Sequence, residues 1–199
     1  NVRHTIRGYE AAGAVAIQLE DQEFPKKCGH TPGRRVIPLE DMVKKIEVAV
    51  NSRTDPNFQI IARTDARTTL GLDEALRRGE AYAKAGADIL FIESPESVDE
   101  MQKICQTLRG TPLVANMVEK GRTPVLSKED LEKLGYKIAI FPVTALLASV
   151  QAMTKVYEQF KATGSSVDQA VELYDFGDLS KLMGFEDVWE FEKKFVETK

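Results

Sequence analysis

One pattern limits what this chain can fold into: a helical stretch leads into a short apolar run that closes on polar groups, and the unit then repeats. GYEAAG leads into AVAIQLED, LDEALRRGEAYAKAGA into DILFIES, VDEMQKICQTLRG into PLVANM, and SKEDLEKLG into KIAIFP. Between the first two, the helix LEDMVKKIEVAVNSRTD precedes FQIIARTDA. Gly13, Gly86, Gly110 and Gly135 stand where helix ends favour a residue at positive φ. The runs are rich in Ile, Val, Leu and Phe at successive positions, as strands buried on both faces are. Alternating strands and helices with short connections predict a parallel α/β sheet.

Five strands are predicted, near Val15, Ile60, Leu90, Val114 and Ile140. After the first pair they recur about every 25–30 residues, the length of a βα unit. Their ends carry Glu20 and Asp21, then Arg63, Thr64 and Asp65, then Glu93, Asn116, and finally Pro142 with Thr144. Polar groups at the carboxyl ends of successive strands are what a (β/α)8 barrel uses for catalysis. A doubly wound sheet gathers its ligands at one switch point, usually behind a glycine-rich phosphate turn, and no GxGxxG or GxxxxGK[ST] occurs. The fold class expected is therefore an α/β (β/α)8 TIM barrel, three strands short.

Residues 1–163 form the expected barrel portion. Residues 164–199 form a helical tail whose Phe185, Trp189, Phe191 and Phe195 need the barrel or a partner subunit to cover them. The opening NVRHTIRGYEAAG reads as the body of a helix rather than as a signal peptide, so the record is expected to be truncated at its N-terminus.

A formal net charge of −4 and the lack of a basic stripe with interleaved aromatics argue against nucleic acid as a partner. The longest apolar run, Ile138 to Val150, is interrupted by Pro142 and Thr144 and too short for a bilayer span. Two distant cysteines suit a reducing cytoplasm, with an organelle as the alternative.

The long connection after the first strand holds FPKKCGH. A thiol beside Lys26, Lys27 and His30 sits in a field that favours thiolate, which suits Cys28 to proton transfer near neutrality. Gly29 permits close backbone approach to a ligand, and the Pro and Gly boundaries suit a loop that moves as a lid. The plain alternative is a surface loop with an incidental cysteine. Zinc is disfavoured, because Cys28 and His30 are too few and too close. Cys105, on the apolar face of a helix, reads as core. Glu20 and Asp21 offer oxygen to a hard divalent cation, although Asp21 equally suits a helix cap or a buried salt bridge. Arg63 offers a bidentate fork for a carboxylate, with Asp65 beside it shaping the loop.

IQLEDQEFPKKCGH, PNFQIIARTDA, ADILFIES, LVANM and FPVTALLAS together resemble the isocitrate lyase and phosphoenolpyruvate mutase superfamily over about Asn1 to Met153. The branch most similar holds 2-methylisocitrate lyase, dimethylmalate lyase and carboxyphosphonoenolpyruvate mutase-like proteins. The resemblance implies a Mg2+ ion (Mn2+ the alternative) at the barrel rim, and cleavage of a C–C bond in a 2-hydroxy di- or tricarboxylate to a keto acid such as pyruvate plus a carboxylic acid. By the same resemblance Cys28 protonates the carbanion, and Lys26 and His30 tune it. Gly29, Arg63, Glu93, Asn116, Pro142 and Thr144 contact substrate. Glu20 holds the metal through water, and Gln18 is a weaker metal candidate.

The family's direct metal ligands, aspartates in a D-x-D segment on earlier strands, have no counterpart in this sequence. Gln18 stands where the methylisocitrate lyases resemble one another in a histidine, and Leu147 where they carry an arginine. The second departure, at Leu147, weakens the tricarboxylate assignment and favours a smaller substituted malate or oxaloacetate-like substrate. Other readings are a phosphonomutase, decarboxylation or hydrolysis of oxaloacetate, and an inactive oligomeric scaffold. A homodimer or homotetramer that exchanges its C-terminal helix is implied as well.

Overall fold

The computed structural model describes residues 1–29, 33–167 and 170–196. Chain contacts divide the protein into two units, Asn1–Thr144 and Ala145–Lys199. In the first, α1 (Val2–Ala11) precedes β1 (Ala16–Glu20), α2 (Leu39–Val50) and β2 (Gln59–Thr64). The short α3 (Arg67–Leu70) and α4 (Leu72–Lys84) lead to β3 (Ile89–Ile92). Then come α5 (Val98–Thr107), β4 (Val114–Asn116), α6 (Lys128–Leu134) and β5 (Ile138–Ile140), and α7 (Thr144–Thr163) begins at the boundary. All five predicted strands are present.

Every pairing is parallel. β1 runs beside β2 from Ala16↔Gln59 to Glu20↔Arg63, and β2 beside β3 from Ile61↔Ile89 to Thr64↔Ile92. β4 pairs with β5 from Val114↔Ile138 to Asn116↔Ile140, and a parallel bridge between Leu90 and Leu113 links β3 to β4. Spatial order thus follows chain order without the reversal that creates a switch-point crevice. Among the described residues no strand pairs β5 back to β1, and no closed barrel is seen.

The two faces of this sheet differ, because side chains alternate with period two. One face is covered by helices: Met42 and Ile46 of α2, Leu76 and Tyr82 of α4, Met101 and Ile104 of α5, and Leu131 of α6 pack with Ala62, Leu90, Ile92, Leu113 and Ala115. Right-handed crossovers put successive helices on the same side. The other face carries a small cluster of Ile89, Phe91 and Val114 with Ile61 against it. Its carboxyl edge is where Glu20, Arg63, Glu93 and Asn116 emerge.

Local signals set the helix ends. Ser97 Oγ accepts the Glu100 amide at 3.1 Å at the start of α5, and Ser127 Oγ accepts the Asp130 amide at 3.1 Å at the start of α6. Gly135 closes α6 at φ 116°, a conformation that residues with a Cβ rarely adopt. Cys105 is buried, as its helix face predicts, and burial pushes its thiol up to about 11, away from any use as a thiolate.

The second unit comprises α7 from Ala145 on, α8 (Phe176–Leu182) and α9 (Phe185–Phe195). Asp175 Oδ1 caps α8 by accepting the Asp178 amide at 2.9 Å. Within α9 the rings of Phe185 and Trp189 lie 6.1 Å apart, and those of Phe191 and Phe195 4.7 Å apart. Trp189 and all three phenylalanines are exposed. Among the described residues no helix is long and apolar enough to cross a membrane.

Candidate active site

Arg63 stands at the centre of the rim. Its Nε donates to Asp65 Oδ2 at 2.9 Å and its Nη2 to Asp65 Oδ1 at 2.9 Å. The fork that the sequence suggests for a substrate carboxylate is therefore occupied by Asp65. Asp65 is the first residue past the end of β2, two positions after Arg63, close enough for its carboxylate to fold back on the guanidinium. Nη1 is turned toward Glu93 Oε2 at 3.7 Å, and Nε lies 3.5 Å from Glu20 Oε2. The guanidinium also sits over the Phe91 ring, 4.9 Å from its centroid. Burial pulls the Arg63 pKa down, but the bond to Asp65 and the charges of Glu93 and Glu20 outweigh it and raise the pKa. Arg63 is a fixed positive charge.

Glu93 is fully buried at the exit of β3. The Asn116 amide approaches both of its carboxylate oxygens at 3.3 Å, and Ser94 Oγ lies 3.2 Å from Oε1. Among the described residues Asn116 Oδ1 is buried without a hydrogen-bond donor, an unsatisfied acceptor beside Glu93. Glu20 Oε2, likewise without a donor in hydrogen-bond geometry, lies 3.2 Å from Lys26 Nζ.

The loop after β1 reaches this cluster through Gly29. Ser94 Oγ donates to the Gly29 carbonyl at 2.9 Å. A Cβ on Gly29 would lie 2.3 Å from Glu93 Oε1 and 2.6 Å from Arg63 Nη2. Only glycine lets the backbone come this close. Cys28, one residue earlier, is exposed, as a proton donor to a bound molecule must be. His30 lies outside the described residues.

A prediction follows for this contact. Neither clashing side chain can swing away, because both are buried and pinned by other partners. Gly29→Ala should therefore displace Glu93 and Arg63 together and lower turnover by about 10²-fold, the usual effect of an ångström-scale misplacement. Steady-state kinetics beside a melting curve check it; unchanged turnover in a folded variant would show that the close approach has no role.

The remaining candidates separate. Gln18 is exposed on the same face of β1 as Glu20, two residues nearer the strand's start. Pro142 and Thr144 lie exposed after β5, and the Thr144 hydroxyl donates to Glu119. Asp21 serves the helix side, where it accepts from Thr64, Tyr82 and Arg78. It is the buried salt-bridge partner, not a cation ligand.

Ser94 and Glu119 were not foreseen. Ser94 holds a positive φ of 59° at a strand exit, a strained conformation for serine that no sequence pattern announces. Among the described residues no group of three or more His, Cys, Asp and Glu is gathered to hold a metal ion. The described donor set therefore does not by itself fit a divalent metal: of the rim carboxylates, Glu20 lies beside Lys26 and Arg63, and Glu93 is held by Asn116 and faces Arg63.

A family profile described as Phosphoenolpyruvate phosphomutase matches residues 1–161. The 2,3-dimethylmalate lyase of Eubacterium barkeri is 49% identical over 196 residues, which is 98% of this chain and 68% of that protein. The 2-methylisocitrate lyase of Aeropyrum pernix is 43% identical over 197 residues, 99% of this chain and 62% of the other. Among solved structures, oxaloacetate acetylhydrolase with the inhibitor 3,3-difluorooxalacetate superposes with a TM-score of 0.88 at 28% identity, covering 97% of this chain and 65% of that one. The chain thus spans about two thirds of the length of the proteins it matches.

Proposed function

The chain belongs to the phosphoenolpyruvate phosphomutase family, and from that premise we propose that it acts as a carbon–carbon lyase on a small 2-hydroxy dicarboxylate of the substituted-malate type. The observation that carries this reading is the seat of the loop: Cys28 is exposed, and the next residue, Gly29, packs directly on Arg63 and Glu93. A thiol is thereby held one residue from a fixed cation and an oriented carboxylate.

In this reading one substrate carboxylate meets Arg63 through Nη1, the part of the guanidinium that Asp65 leaves open. The substrate's polar groups are completed by Asn116 Oδ1. A base takes the hydroxyl proton, the oxygen forms the keto C=O at C2 as the bond between C2 and C3 breaks with its electron pair left on C3, and a keto acid departs. Cys28 gives its sulfhydryl proton to the carbanion carbon left on the carboxylic acid fragment. For a 2,3-dimethylmalate skeleton the two fragments are pyruvate and propionate. Lys26, paired with Glu20, and His30 are assigned to the same loop chemistry.

The family resemblance implies a divalent ion, Mg2+ first, to stabilise charge on the keto acid. Glu20 is the described group nearest that role, through water. The steps above rest on the protein's own residues. The fold reading is a (β/α)8 barrel, supported by five parallel strands in chain order with helices on one face and the polar rim on the other.

The discriminating assay offers the protein 2,3-dimethylmalate, 2-methylisocitrate, oxaloacetate and phosphonopyruvate with Mg2+. Pyruvate release should be fastest from 2,3-dimethylmalate. Faster turnover of 2-methylisocitrate would move the assignment to the tricarboxylate, and conversion of phosphonopyruvate without C–C cleavage would replace the lyase by a mutase. Hydrolysis of oxaloacetate alone would favour the activity for which the structural neighbour is named.

A further inference from the structure

We propose that Arg34 is a positioning residue for Arg63, acting through Asp65. This rests on the reading above only in taking Arg63 as a substrate-carboxylate ligand. Arg34 and Asp65 have fully buried side chains, and Arg34 Nη1 donates to Asp65 Oδ1 at 2.7 Å. The same oxygen accepts from Arg63 Nη2 at 2.9 Å, while Asp65 Oδ2 accepts from Arg63 Nε. One carboxylate is shared by two guanidiniums. The Asp65 amide donates to Asp21 Oδ1 at 2.9 Å, so its backbone is tied down too.

Arg34 is fixed from its other edge by a bond from Nη2 to Thr68 Oγ1. Its Nε is buried without an acceptor. Burying a guanidinium, and leaving one of its donors unsatisfied, lowers stability compared with an apolar side chain of similar size. Stability alone gives no reason for an arginine here. Orientation does. With Oδ1 held by Arg34, Asp65 cannot rotate, and it captures the Nε–Nη2 edge of Arg63 in a single pose. Nη1 is then the donor left for a ligand.

The sequence position adds a second consequence. Arg34 lies five residues after Gly29, on the far stem of the loop that carries Cys28. That loop is connected to Arg63 twice: by direct packing at Gly29, and through Asp65 at Arg34. The orientation of the arginine and the seating of the thiol loop are mechanically linked.

A double-mutant cycle tests this on the full chain, using Arg34→Met, Arg34→Lys, Arg63→Met and the pairs. With whichever substrate the assay above identifies, Arg34→Met should raise KM about tenfold, with a smaller change in kcat, and should add nothing further in the Arg63→Met background. Arg34→Lys keeps the charge but cannot reach Asp65 and Thr68 together, and should fall between. It also serves if the methionine variant does not fold.

The rate at which iodoacetamide alkylates Cys28 reads the same coupling without turnover. Arg34→Met should change that rate at least about threefold beside Arg63, and leave it unchanged beside Met at position 63. Additive effects on KM or on alkylation would overturn the proposal. Absence of lyase turnover in the wild type, with the alkylation coupling intact, would instead remove the functional reading and leave Arg34's role standing.

Discussion

Cys28→Ser is expected to lower C–C cleavage by about 10²–10⁴-fold, the usual contribution of a positioned proton donor. Serine keeps the shape and polarity of the side chain, and Gly29 still fixes the loop to Ser94, Arg63 and Glu93. The chemistry changes instead. A thiol titrates near pH 8.5 and can give up a proton and regain it near neutrality, whereas an unassisted hydroxyl cannot. Arg63, Asn116 and Glu93 are untouched, so affinity for pyruvate should stay close to that of the wild type. Pyruvate release under steady state, set beside pyruvate binding by calorimetry, separates the two quantities. A serine variant that cleaves as fast as the parent would show that the proton comes from elsewhere and would take the lyase assignment of Cys28 with it.

How much of this site was legible follows from how local each signal is. Glu20, Arg63, Glu93 and Asn116 could be read because each closes an apolar run, and parallel pairing then brings them to one edge. Gly29 was visible as a glycine in a cationic loop, but the reason for it, a carboxylate oxygen 2.3 Å from where a Cβ would sit, exists only in three dimensions. The Arg63 fork was read as open to a carboxylate, but Asp65, just past the strand end, fills it, a contact set by the local turn of the backbone. Arg34 meets a partner 31 residues away, and no spacing rule predicts that contact. The five strands were legible because each is a local apolar run; which strands pair across the chain, and so whether a barrel closes, is a property of distant pairings that no local signal fixes.

The largest expected effect on stability lies on the other side of the sheet. Asp21 is fully buried at the end of β1, where its carboxylate accepts from Thr64 Oγ1 at 2.7 Å, Tyr82 Oη at 2.7 Å and Arg78 Nη1 at 3.0 Å, besides the Asp65 amide. Burial first, then the charge and hydrogen bond of Asp21, push the Tyr82 hydroxyl's pKa upward, so its proton stays in place to donate. These partners come from β2 with the residue after it and from α4, and Asp21 itself follows β1, so one negative charge joins all three. Asp21→Ala leaves Arg78 with Glu74 as its remaining carboxylate and strands a tyrosine hydroxyl and an amide without an acceptor. The expected loss is about 3–5 kcal/mol, the range for breaking a buried charge pair from one side. Asp21→Asn keeps an acceptor for Thr64 and the amide while removing the charge opposite Arg78, and should lose less. Urea unfolding followed by circular dichroism measures both. A loss for the alanine variant below about 1 kcal/mol, the level of an exposed ion pair, would mean that the network does not hold the three elements together.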